Sequence, residues 1–243
     1  MALMTASCTS ALPRRAAHRP LTLPAGENRV EVGLGLTLPL SGTAVALGEV
    51  DGVGYARGLT DRLELRAPLI LRARFGGKGA QWGLEGGVGF LARRVLEGEV
   101  PEDEDPRQIS ERRRLLLNFL PKLGWVGRLP LGDHLTLQGG ARVMLETNFA
   151  VLGLLVPEAR ADLLWSPIEQ MSVGLGGLIR ARIGLDVEGV DVPEGLAVGT
   201  VWWHLRPNLD LVGRALYRAG YPAFSRETED AWGGTFGVDF HFQ

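Results

Sequence analysis

The chain has 243 residues, with 26 Lys+Arg against 28 Asp+Glu and a formal net charge of −2. That balance leaves no electrostatic footprint for nucleic acid, and a single cysteine, Cys8, excludes an internal disulfide framework. No apolar run is long enough for a transmembrane helix, whereas 34 glycines scattered among alternating segments suit closely approaching strands.

Residues 1–27 lack periodicity and carry Pro13, Pro20 and Pro24, so they read as a flexible lead-in. Its first eleven residues leave three readings open: a truncated secretory signal with Thr9-Ser10-Ala11 as the cleavage site, a lipidated Cys8, or a disordered start. From Arg29 to Leu38 a strict alternation begins, with Val30, Val32, Leu34, Leu36 and Leu38 on one face. A Gly-rich connection follows from Ser41 to Thr60. Asp61 to Phe75 reads as one strand, because Leu63, Leu65, Ala67, Leu69, Leu71, Ala73 and Phe75 fall at period 2 and not 3.6. Gly76 to Gly79 turns the chain into a third strand from Trp82 to Ala92.

An acidic loop, Glu97 to Asp105, leads to a long strand from Arg112 to Arg128, where Pro121 predicts a bend or bulge. Further strands are expected at Leu135 to Glu146, Pro157 to Trp165 and Met171 to Leu185. A second acidic loop, Asp186 to Glu194, precedes Leu196 to Arg206, whose register stays open because Trp202 and Trp203 each suit the apolar face. Leu209 to Tyr217 is the ninth strand. The tenth, Trp232 to Phe242, alternates Phe236, Val238, Phe240 and Phe242 with Gly237, Asp239 and His241.

Ten strands with longer connections after the odd ones and tight turns after the even ones predict an up-and-down transmembrane β-barrel over residues 28–243. An even strand count puts both termini on one side. Trp82, Trp125, Trp165, Trp202, Trp203, Phe240 and Phe242 gather at the short-turn ends, the level where amphipathic rings meet the membrane interface. Tyr55, Phe90, Phe149, Tyr217, Tyr221 and Trp232 are expected at the other end.

This alternation, the long-short rhythm and the aromatic ending Phe236-Gly-Val-Asp-Phe-His-Phe242 resemble small bacterial outer-membrane β-barrel proteins. The resemblance covers about residues 28 to 243 and is architectural. It implies residence in the outer-membrane lipid bilayer, periplasmic termini, and recognition of the last strand by the barrel assembly machinery. Gln243 after the terminal Phe242 departs from the usual aromatic ending.

The polar strand faces are then expected to line the lumen: Glu64, Arg66, Arg72, Arg74, Glu85, Arg142, Glu146, Glu158, Arg160, Asp162, Arg180, Arg182, Asp210 and Arg214. The Gly76–Gly79 turn sets Arg72 opposite Glu85; Arg142 is expected to meet Glu158, and Asp210 to approach His241. Unpaired charges in a narrow lumen are costly, so a salt-bridged interior is one reading; an Arg-lined passage for anions or small polar solutes is another.

No serine with a plausible histidine and acid partner stands out, and no histidine is placed at the outer rim, so no enzyme, cofactor or metal site is expected. Glu102 to Asp105 lacks the spacing of a preformed calcium loop. Gly33-x-Gly35 and Gly87-x-Gly89 lie inside strands, where a dinucleotide loop has no place. The function expected is a narrow channel or structural envelope protein; the alternative is a soluble, lipocalin-like barrel with a ligand in its interior.

Overall fold

The computed structural model describes residues 12–39, 46–47, 54–77, 79–96, 113–148, 151–184, 190–222 and 228–243. Cys8 and the acidic loop at 97–105 lie outside them, as do the side chains of Glu146 and Arg182.

Twelve antiparallel strands form a closed ring. They are β1 (Asn28–Pro39), β2 (Gly54–Thr60), β3 (Leu63–Arg66), β4 (Leu69–Gly76), β5 (Gln81–Leu96), β6 (Arg113–Pro130), β7 (Leu135–Asn148), β8 (Val151–Ile168), β9 (Met171–Gly184), β10 (Val190–Arg206), β11 (Leu209–Pro222) and β12 (Thr228–Phe242). Each pairs with the next, and β12 closes on β1 with Asn28 opposite Phe242 and Leu38 opposite Trp232. Ala46–Leu47 adds a short bridge to β1 at Leu36 and Thr37. The terminal ends of β1 and β12 thus share one rim, called the lower rim below.

The ten strands expected from periodicity are corrected to twelve. Asp61 to Phe75 is a hairpin, β3–β4, in which Leu65 faces Leu71 and Arg66 faces Ile70. Pro68 has no N–H for a ladder, and the chain turns there. Because the turn spends two residues, Ala67 and Pro68, the alternation keeps its parity and the break leaves no trace in the pattern. The additional strand β2 lies in the expected glycine-rich connection, where Gly54 and Gly58 weaken the apolar signal. The same strand carries Tyr55 to a place beside Val30 at the lower rim, not to the opposite end. Pro121 sits in unbroken register opposite Val88, with no bulge on either side of β6.

The two faces of the wall separate by chemistry. Leu34 is 72% exposed, Leu123 70%, Leu175 68% and Ile179 67%, all pointing out. Glu64, Arg72, Glu85, Glu158, Glu194, Asp210 and Asp239 are buried inside. The wall is uneven in height: β2, β3 and β4 have 7, 4 and 8 residues, against 12 to 18 in the others.

The lead-in over 12–27 is packed into the lower mouth as a plug. A single 3-10 turn, Ala16–His18, stands there with Ala16 and Ala17 buried. Leu12, Leu23 and Ala56 of β2 form its apolar contact. The remaining hold is polar. Leu21 N–H donates to Gln81 Oε1 at 2.8 Å and Leu23 N–H to Glu64 Oε2 at 2.7 Å. Gly26 and Glu27 exchange backbone bonds with Gly58 at 2.9 and 2.8 Å. An aperiodic segment is stable here because lumen side chains, together with this backbone pair at Gly58, satisfy its backbone.

Candidate functional site

Register determines the charge pairs of the lumen. Arg72 and Glu85 are direct cross-strand partners and meet at 2.7 Å. Arg142 and Glu158 are likewise opposite one another and meet at 2.6 Å. Arg66 reaches Glu64 at 2.6 Å, Arg180 reaches Glu194 at 2.6 Å, and Arg160 lies 3.5 Å from Asp162. Arg214 binds Glu31, and Arg29 holds Asp239 at 2.8 Å. Arg74 instead donates to the Asp61 carbonyl at 2.7 Å, at the β2–β3 turn. The sequence reading missed Arg19, Arg29, Glu31, Arg128, Glu194 and Asp239 as lumen groups. Arg29 and Glu31 alternate with Val30 and Val32, and Asp239 with Val238 and Phe240, which is the signal that places all three on the polar face.

Between plug and walls lies a cavity of ≈ 670 Å³. Arg19, Arg29, Arg66, Arg72, Arg128, Arg160, Arg214 and Arg218 line it, against three carboxylates, Glu31, Glu64 and Asp162. Three of these guanidinium groups, Arg19, Arg29 and Arg72, are held by Asp210, Asp239 and Glu85, which stand behind the lining. Arg128 donates to Gln138 Oε1 at 3.2 Å and to the Ala16 carbonyl at 2.6 Å, both neutral acceptors.

The open register of β10 is resolved. Trp203 is 52% exposed on the outer face, whereas Trp202 lines the cavity and packs over Gly174. Trp202 is therefore removed from the expected interface group. A Cβ on Gly174 would lie 2.9 Å from the Trp202 ring, so the glycine makes room for it. Trp82, Trp125 and Trp165 are 53%, 54% and 50% exposed, all outward. Phe75 stacks on Trp82 at 4.4 Å and Phe240 on Phe242 at 5.4 Å.

Beneath the cavity a polar chain crosses the lower end of β8 to β11. Ser166 Oγ lies 2.8 Å from Ser172 Oγ, which lies 2.8 Å from His204 Nε2, and His204 Nδ1 lies 2.7 Å from Asp210 Oδ1. Sequence reading found no serine with such partners, because the three residues stand on three different strands. Arg19 of the plug donates to the other oxygen of Asp210 at 2.6 Å.

His241 adds to this cluster, with Nε2 3.8 Å from Asp210 and 3.5 Å from Asp239. The ligand atoms of Asp210, Asp239 and His241 lie within 4.8 Å of one another, a spacing a metal ion accepts. Arg19 and Arg29 already bring positive charge to both carboxylates, so the local charge balance is met by the protein itself.

No family model and no curated protein matches the chain. Among solved structures it is similar to the NanC porin, at 8% identity over 87% of this chain and 98% of that one, with a TM-score of 0.47. It is similar to the KdgM porin at 8% identity over 88% and 100%, TM-score 0.48. It is also similar to the outer-membrane OmpT of Vibrio cholerae, at 9% identity over 91% and 99%, TM-score 0.45.

Proposed function

We propose that the protein is a bacterial outer-membrane β-barrel whose Arg-lined lumen is closed at the periplasmic mouth by its own amino-terminal segment. One observation carries this reading: a closed, edgeless ring of strands exposes its apolar side chains outward and buries its charges inward. Leu34, Leu123, Leu175 and Ile179, each about two-thirds or more exposed, are costly in water and favourable in lipid. A lipocalin-like barrel in water would invert this pattern.

Trp82, Trp125, Trp165, Trp203, Phe240 and Phe242 form the interfacial belt of this reading, at the rim shared by the termini. Strand β12, whose outer face carries Phe236, Phe240 and Phe242, is the segment offered to the barrel assembly machinery. The lumen is a salt-bridged passage for anions or small polar solutes, resting closed.

Fractionation tests the first part. The protein is expected in the outer-membrane fraction, requiring detergent for extraction and shifting gel mobility on heating. Full solubility without detergent overturns the reading. Planar-bilayer recording tests the second: wild type is expected to give a flat trace, and plug-displaced variants an anion-selective current that Arg160→Glu makes less so.

A further inference from the structure

We infer that Ser172, His204 and Asp210 form a serine nucleophile site for acyl transfer, held latent by the plug that lies on it. Two backbone N–H groups of the plug reach its serines. Ala16 N–H donates to Ser172 Oγ at 3.0 Å, and Ala17 N–H to Ser166 Oγ at 3.1 Å. Each serine oxygen accepts one plug N–H, with a second acceptor site and its hydroxyl proton left for the rest of the chain. Ser166 Oγ and Ser172 Oγ are 2.8 Å apart, as are Ser172 Oγ and His204 Nε2. An ionised carboxylate only accepts, so His204 Nδ1–H donates to Asp210 at 2.7 Å, and the tautomer with a bare Nε2 takes the Ser172 proton. A neutral imidazole accepting from a serine, with its far nitrogen held by a carboxylate, is the arrangement that activates a hydroxyl.

A latch for the plug would explain those bonds alone. The plug's carbonyls are held as well. Arg128 Nη2 donates to the Ala16 carbonyl at 2.6 Å, and Thr136 Oγ1 to the Ala17 carbonyl at 2.8 Å. The residue capping the nucleophile thus has its carbonyl oxygen on a guanidinium, the type of donor a developing oxyanion needs. Ala16 also lines the ≈ 670 Å³ cavity, as does Arg128, so withdrawal of the plug opens the cavity onto Ser172 and leaves Arg128 without its carbonyl partner.

The substrate class is a carboxylic ester carrying an anionic group, which the cavity arginines would hold. Ser172 Oγ adds to the carbonyl carbon while its proton passes to His204 Nε2, and Arg128, released from the Ala16 carbonyl, is the charged donor for the oxyanion. Collapse breaks the ester C–O bond, and His204 returns that proton to the leaving alkoxide. Water then adds to the acyl-Ser172 carbonyl, gives a proton to His204, and that proton restores the Ser172 hydroxyl as the acid leaves. Asp210 orients the imidazole throughout.

A fluorophosphonate probe on the full chain in detergent tests this. Reaction joins phosphorus to Ser172 Oγ and releases fluoride, with the hydroxyl proton taken up by His204. Two variants lift the plug away from the triad. Gly58→Leu places side-chain atoms where a Cβ already falls 1.9 Å from the Pro24 carbonyl oxygen. Leu23→Asp removes the apolar anchor against Leu12 and Ala56. Both are expected to label about 10-fold or more faster than wild type, since reactivity follows the open fraction. The adduct mass maps to Ser172, and His204→Ala in the Gly58→Leu protein slows labelling by about 100-fold. In a Cys8→Ser background an Ala17→Cys thiol reports plug release by maleimide capture, and heat-modifiable mobility reports folding. Maleimide capture without a Ser172 adduct overturns the inference, leaving a latch only. So does an adduct that forms independently of His204, or a plug that stays shut in both folded variants. None of these outcomes bears on the membrane reading, which fractionation decides.

Discussion

Arg19 donates to Asp210 across 2.6 Å, joining the amino-terminal plug to the foot of β11 over 191 positions of sequence. The Asp210 side chain is 2% exposed and that of Arg19 14%, so the pair is largely shielded from solvent. Removing one partner of such a buried pair costs on the order of 3–5 kcal/mol. Arg19→Ala is therefore expected to loosen the plug, appearing as new current in a planar bilayer and a lower urea midpoint. Arg19→Lys, which keeps the charge but not the fork, is expected to fall between the two. A flat trace and an unchanged midpoint for Arg19→Ala would show that the pair does not hold the plug.

Arg72 and Glu85 share a hairpin and a buried salt bridge, and Arg72 also donates to the Leu21 carbonyl of the plug at 3.3 Å. Either alanine alone leaves an uncompensated charge. The double change is expected to be milder than the sum of the two, with a coupling of roughly 0.5–3 kcal/mol in a double-mutant unfolding cycle. The double variant is also expected to pass current that wild type does not. Additive single effects would show that the charges do not depend on one another.

Gly58 lies under the plug backbone, with an added Cβ at 1.9 Å from Pro24 O and 2.7 Å from Leu23 O. No rotamer relieves a clash with backbone. Gly58→Ala is expected to open the lower mouth, raising maleimide capture of an Ala17→Cys thiol well above that in the Gly58 parent. Unchanged capture would mean that the plug tolerates a methyl group there.

Neighbouring tryptophans 202 and 203 face opposite sides of the wall. In vesicles of brominated lipid, Trp203→Phe is expected to remove a strongly quenched part of the fluorescence. Trp202→Phe should remove a part that bromine does not reach. Equal loss from both would contradict the register of β10 and the membrane-facing wall together.

Local chemistry alone determined a good deal. Period-2 alternation identified strands from Arg29 to Phe242, and the aromatic end marked β12 as the closing strand, because each side chain's face follows from its parity. The Gly76–Gly79 turn was enough to set Arg72 against Glu85, since a hairpin register is local. Tertiary structure decided what parity cannot report. A two-residue turn at Ala67 and Pro68 preserves alternation, so the count of twelve required the ladder itself. Trp202 and Trp203 are both apolar, and only their pairing with Ser172 and Met171, respectively, fixed their faces. The plug has no period of its own and is held by Gln81, Glu64, Arg128, Thr136 and Asp210. Ser172, His204 and Asp210 come from three strands, and Ala16, which covers Ser172, comes from 156 residues away. Such contacts arise from closing the ring, and no window of neighbouring residues contains them.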